Sequence, residues 1–273
     1  MSPGASTLDC MLSPGDPLPA APDRAPDLDD DFRDGVSPDR WVSHYLPQWT
    51  TPERSAARLR QDARGIALRI EEDQPDWRPE DAPLRVSNLQ SGVFSGPAGS
   101  VVGTHRHRPD GLTVRTPTGT RVLFAPSAGR VEVEVTASRD VGCMTAAWLV
   151  GTEHLGPADA GEICLFEIDA EAIGERTRAR TGLKAHGDDR LRTDMDSITV
   201  PVDASRRHTW TVIWGRGETV IGCEGAVVRV LPQAPDYPLF LMLDLFEVAA
   251  PAGAYPKSAL FHRVRGWDAS PTA

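Results

Sequence analysis

The sequence predicts an all-β protein built as a sandwich or barrel, and three observations carry that expectation. Short runs rich in β-branched and large apolar residues follow one another from residue 66 to residue 267, about a dozen in all. Gly and Pro each occur 24 times, enough to punctuate the many turns such a chain needs. Helical periodicity is almost missing, and no repeat of about 20 to 50 residues recurs, which argues against a propeller or solenoid. At 273 residues one core suffices, because single all-β domains commonly reach about 200 to 250 residues.

Taken in order, residues 1–28 hold six prolines and few large apolar groups, the composition of a disordered tail. One domain is expected over residues 29–268, followed by a short C-terminal tail over 269–273. Order begins at Asp29-Asp30-Asp31-Phe32, and Trp41, Tyr45 and Trp49 punctuate an irregular stretch. A short helix is expected over residues 51–58, with Pro52 at its first turn. Strands are then expected at 66–70, 93–94, 112–115, 122–125, 129–137, 143–150, 163–170, 197–202, 209–214, 220–222, 226–231, 239–246 and 259–267. Within Arg130 to Thr136 the valines fall on one face and the polar residues on the other, the mark of a half-buried antiparallel strand.

Charge narrows the partners. With 29 Lys and Arg against 39 Asp and Glu the net charge is −10, which argues against a nucleic-acid backbone or an anionic membrane and favours a neutral substrate; a monomer is expected. No apolar run approaches the roughly 20 residues of a membrane span. Before Arg24 there is no basic residue and no long apolar core, so the N-terminus does not read as a secretory signal. The cytoplasm is expected, or secretion if this is a trimmed mature form. Cys10, Cys143, Cys164 and Cys223 lack CxxC spacing and read as buried free thiols, with a Cys143–Cys164 disulfide as the alternative.

The most informative stretch is Gly161 to Glu171. Glu167, Asp169 and Glu171 alternate onto one strand face, and a bulge near Leu165-Phe166 would bring Glu162 and Cys164 onto it. Gathering like charges is costly, so such a strand points to chemistry, and a pair of carboxylates is what glycosidic cleavage requires. Glutamates suit the spacing, since residues four apart on a strand are about 13 Å apart and only the longer side chain can lean across. Trp148, Trp49 and Tyr45 are candidate sugar platforms, because a pyranose packs its C–H face on an aromatic ring. His186 follows the acids and is a candidate substrate contact. His105 and His107 have the H-x-H spacing of metal ligands, but no third ligand is assignable and no metal is expected. A Cys164 nucleophile with His186 as base lacks any local signature.

Several landmarks stand in a shared order: Asp30-Asp31-Phe32, Asp39-Arg40-Trp41, Ser91-Gly92, Gly129 to Val133, Ala146-Ala147-Trp148-Leu149-Val150-Gly151, the acidic strand, His208 to Trp214, and Phe261 to Trp267. Over residues 29–268 this order resembles the family 16 glycoside hydrolases, the laminarinase and lichenase relatives. The resemblance implies a concanavalin-like jelly roll of two antiparallel sheets with a concave cleft. It also implies cleavage of internal β-glycosidic bonds with retention, with a β-1,3-glucanase-like activity as the default. The family signature is E-x-D-x-E, or E-x-D-x-x-E with a bulge. In the bulged register Glu162 is the nucleophile, Glu167 the acid/base, and Cys164 stands where the assisting Asp belongs, leaving Asp169 to assist. In the unbulged register the three are Glu167, Asp169 and Glu171. The first is preferred because it keeps the gap after Trp148 and the Gly before the first Glu. Cys164 and Trp148 would then lie within the substrate site. No cofactor is expected, and a structural calcium ion stays open. The alternatives are a carbohydrate-binding, lectin-like protein that has lost hydrolysis, or an intracellular enzyme of specialised metabolism on the same scaffold.

Overall fold

The computed structural model describes residues 12–108 and 111–271. Among these the chain forms sixteen strands: β1 (Leu28–Asp30), β2 (Arg58–Asp62), β3 (Gly65–Ile70), β4 (Arg85–Gln90), β5 (Gly92–Val93), β6 (Arg121–Val122), β7 (Gly129–Thr136), β8 (Cys143–Gly151), β9 (Glu162–Asp169), β10 (Thr177–Lys184), β11 (Asp194–Val200), β12 (His208–Gly215), β13 (Glu218–Cys223), β14 (Ala226–Leu231), β15 (Leu239–Glu247) and β16 (Lys257–Asp268). The expected helix shortens to α1 (Pro52–Ser55).

Two antiparallel sheets form the sandwich. One runs β14-β13-β12-β7-β16-β3-β2 with β1 added on β16, the other β11-β10-β9-β8-β15-β4, and β5 and β6 make a small ribbon. Alternation decides what lies between them: Val131, Val133, Val135, Trp210 and Val212 of the first sheet pack against Ala147, Leu149, Ile163, Phe166, Ile168, Leu183, Leu241 and Leu243 of the second. The jelly roll expected from the sequence is therefore the fold observed.

The outward face of the second sheet carries a further core. Met144, Ala146, Trp148 and Val150 of β8, with Phe240, Met242 and Phe246 of β15, are roofed by Tyr45, Leu46, Trp49, Trp77, Leu112 and Val114. These outward apolar side chains, with Val86 of β4 beside them, need a cover, and irregular segments supply it. The expected strand at 112–115 is one of these segments: Leu112 and Val114 point down into the second core, while the amide of Val114 bonds Ser100 O and that of Arg115 bonds Gln48 O.

The expected disordered tail is corrected from residue 12 onward. Gly15 N donates to Val227 O, Val227 N to Asp16 O, and Leu18 N to Gly225 O, so this segment satisfies the free edge of β14. Leu18 fills the space above Gly222, where a Cβ would meet its side chain at 2.3 Å. Further on, Trp267 Nε1 donates to Arg24 O at 3.1 Å. Residues 1–11, Cys10 among them, lie outside the described residues. At the other end Ala269 N donates to Ala128 O, which ties the start of the C-terminal segment to the sheet. Cys143, Cys164 and Cys223 are buried free thiols.

Candidate active site

Glu162 and Glu167 are five residues apart, an odd number, so a regular strand would place them on opposite faces. The pairing of β8 with β9 shows how the chain resolves this. Trp148 stands opposite Cys164 and Ala147 opposite Phe166, leaving Leu165 as the extra residue of a bulge. Glu162, Cys164, Glu167 and Asp169 therefore share the outward face with their partners Val150, Trp148, Ala146 and Met144. One oxygen from each glutamate and the sulfur of Cys164 lie within 4.8 Å of one another. Glu171, the third acid of the unbulged register, has left the strand: it sits on the 3-10 turn Ala170–Ala172 and accepts a hydrogen bond from Gly142 N at 3.0 Å.

Strand β10 supplies what the sequence reading missed. Lys184 stands opposite Glu162 and Arg180 opposite Glu167. The Lys184 ammonium lies 2.9 Å from Glu162 Oε1 and 2.7 Å from Glu167 Oε1, bridging the two carboxylates. Arg180 Nε donates to Glu167 Oε2 at 2.8 Å, and its Nη2 reaches Asp169 Oδ1 at 3.2 Å. Burial pushes the Glu167 carboxyl up, but the charge and hydrogen bond of Lys184 and those of Arg180 more than reverse this and hold it below its ordinary value. Burial likewise pushes Lys184 down, and the charges of Glu162 and Glu167 carry it above the usual lysine range.

Cys164 is wholly buried, and burial followed by the charges of Glu167 and Glu162 raises its thiol well above the ordinary value. Its sulfur donates to Arg180 O at 3.7 Å, whereas His186 Nε2 lies 2.9 Å from Glu162 Oε2. The Cys164–His186 nucleophile pair is therefore not formed. Asp244 on β15, opposite Ala146, is an acid the sequence reading did not single out. Burial raises its carboxyl well above the usual range, with the Glu162 charge adding to the rise, while Asn88 Nδ2 donates to Oδ1 at 2.8 Å.

The aromatic candidates divide. Trp148 keeps 8% of its surface and is flanked by Phe246 and His105, with the Lys184 ammonium 4.9 Å from its ring centroid. Trp49 and Tyr45 belong to the second core and offer no sugar platform: Trp49 Nε1 donates to Thr104 O, and Tyr45 packs edge-on against Trp77 and Phe246. The roof over β4, β15 and β8 thus fills half of the expected concave cleft. A cavity of about 320 Å³ lies beside His186, lined also by Arg106, His107, Arg108 and Glu153. Burial raises Glu153 to about 7 against the hydrogen bonds it accepts from the Arg106 and His105 amides.

Gly161, directly before Glu162, fits because its Cα faces Tyr237: an added Cβ would lie 2.4 Å from the phenolic oxygen. Gly161 N donates to that oxygen at 2.8 Å, and Tyr237 in turn donates to Asp188 Oδ2 at 2.7 Å. Tyr237→Phe is expected to lower stability by about 1 to 3 kcal/mol by leaving buried partners unpaired. Urea unfolding of the two proteins measures this, and equal midpoints would show the relay to be idle.

Fold and site together define a jelly-roll sandwich with a pair of carboxylates on one outward-facing strand. The family described as glycosyl hydrolases family 16 matches residues 111–256, more than half of the chain, and the protein belongs to that family. Comparison with curated proteins gave no match. Among solved structures, an endo-β-galactosidase from Clostridium perfringens that releases GlcNAcα1-4Gal superposes with a TM-score of 0.78 at 21% identity, over 91% of this chain and 65% of that one. The chain therefore spans less than two thirds of that enzyme's length. A laminarinase from Flavobacterium sp. UMI-01 gives 0.61 at 10% identity, over 89% of this chain and 100% of that one. A β-glucanase from Bacillus licheniformis gives 0.55 at 14% identity, over 90% and 100%. At these identities the likeness is one of fold. No helix among the described residues is long and apolar enough to cross a membrane.

Proposed function

We propose that the protein is a retaining glycoside hydrolase in which Glu162 attacks the anomeric carbon and Glu167 first protonates the leaving oxygen and then deprotonates the incoming water. The observation that carries this reading is the bulge-enforced approach of the two carboxylates, one oxygen of each within 4.8 Å of the other and so no farther apart than the roughly 5 to 5.5 Å that retention uses. Asp169 assists indirectly, holding Arg180 against Glu167.

The ion pairs add a condition. A proton donor must first hold a proton, and Lys184 and Arg180 keep Glu167 ionised in the resting site. Cleavage therefore requires substrate to draw the Lys184 ammonium away from Glu167. Because half of the outward face is roofed, the substrate enters beside His186, which favours a short or modified β-linked oligosaccharide over a long polymer. A β-glucan or β-galactan fragment is the class to try first.

Glu162→Gln and Glu167→Gln, assayed against a panel of β-glucan and β-galactan oligosaccharides, are each expected to lose about 100-fold or more in rate. The product anomer, followed by NMR, should match that of the substrate. Hydrolysis that persists in both variants removes the mechanism. The second reading, sugar binding without cleavage, is favoured by the Lys184 bridge between the two buried carboxylates. It predicts that wild-type protein retains oligosaccharide in a binding assay while releasing no reducing ends.

A further inference from the structure

His105, Glu162 and His186 bring two imidazoles and a carboxylate to one point, with one ligand atom of each within 4.8 Å of the others. His186 Nε2 is 2.9 Å and His105 Nε2 4.0 Å from the same oxygen, Glu162 Oε2. The two rings stand 5.1 Å apart at 88°, so they meet edge to face over that oxygen. Both histidines hold left-handed backbone, φ 53° at His105 and 48° at His186, a conformation that persists in non-glycine residues where surroundings impose it and that gathers at functional sites.

We propose that His105, Glu162 and His186 form a site for a divalent transition ion of the zinc class, with its remaining position open toward the cavity beside His186. Two imidazoles and one carboxylate are the donor set that suits such an ion, whereas calcium and magnesium take all-oxygen shells. Bonds of about 2.0 to 2.1 Å in a tetrahedron set ligand atoms about 3.3 Å apart, and the observed 2.9 and 4.0 Å bracket that edge. Lys184 contacts Glu162 Oε1 and leaves Oε2 to the histidines. Around the site the carboxylates of Glu162, Glu167 and Asp169 outnumber the cationic side chains they pair with, Lys184 and Arg180. His107 is outside the set, its ring 5.3 Å from that of Trp77, so the H-x-H spacing contributes one ligand and the fold supplies the others.

An ion there occupies the proposed nucleophile, so it holds the hydrolase idle until removed. The binding test needs no turnover, and its failure is separate from failure of the hydrolase reading. Chelator-treated, desalted full-length protein would be titrated with zinc chloride by calorimetry and with cobalt chloride by visible absorption. One equivalent of zinc at micromolar affinity or tighter, with the strong visible bands of four-coordinate cobalt, is expected. His186→Ala, at the rim where folding is safe, and His105→Gln should each weaken zinc at least tenfold, and His107→Ala should bind as the wild type does. No stoichiometric binding overturns the proposal, as does binding unchanged in both His186→Ala and His105→Gln.

Discussion

Lys184→Met is expected to lower stability by about 3 kcal/mol near neutral pH, because it strands two carboxylates that now share one ammonium. The pH dependence identifies the cause. In the wild-type protein Glu167 is held below its ordinary 4.5, so the stability it contributes is complete above that value and is lost as pH falls through the lowered one. Lys184 is held above its ordinary 10.5, so its contribution is complete below that value and is lost as pH rises through the raised one. Between about 5 and 10 the bridge is therefore level in pH. Without Lys184, Glu162 and Glu167 repel each other and the folded pair takes up a proton that the unfolded chain does not hold. Stability of the variant should then rise as pH is lowered from 8 to 5. Denaturant midpoints across that range measure it, and parallel curves for the two proteins would show that the bridge is not what holds the acids together. The same variant frees Glu167 to carry a proton, so any hydrolysis limited by proton donation should increase.

Phe166→Ala is expected to cost about 3 to 5 kcal/mol, the range for emptying a fully buried aromatic site. Phe166 lies immediately after the bulged Leu165, faces inward, and packs against Trp210 of the opposite sheet at a centroid distance of 5.3 Å. Its ring thus fixes the register in which Glu167 faces outward. With the anchor gone, a one-residue slip would turn Glu167 into the core, so hydrogen exchange should accelerate along β9 beyond the change expected from stability alone. A loss under about 1 kcal/mol would mean that the bulge is held by hydrogen bonds and not by this contact.

Much of the fold was legible because strands announce themselves through alternation and turns through Gly and Pro. β7 shows this: its valines face inward in the structure as they do in the pattern. The bulge at Leu165 was also readable, since Glu162 and Glu167 can share a face only if one residue is extra. β10 was missed because Thr177 to Lys184 carries only Ala179 and Leu183 as apolar residues, so its alternation of threonine and arginine reads as loop. The signal that could have found it was that same alternation, with Arg178 and Arg180 on one face. Trp49 and Tyr45 read as sugar platforms because a sequence does not say whether a lone aromatic is roof or cleft wall.

By itself the sequence determined the sandwich, the acidic strand and the parity of its side chains, because these follow from period-two geometry within a single segment. Tertiary structure alone decided the partners: Lys184 and Arg180 arrive by strand pairing, His105 from a loop more than fifty residues before Glu162, and the second core by a roof drawn from three separate segments. Those choices fix whether a glutamate carries a charge or a proton. They depend on distances of a few ångströms between residues far apart in the chain, because electrostatic energy and ligation follow separation in space and not position in sequence.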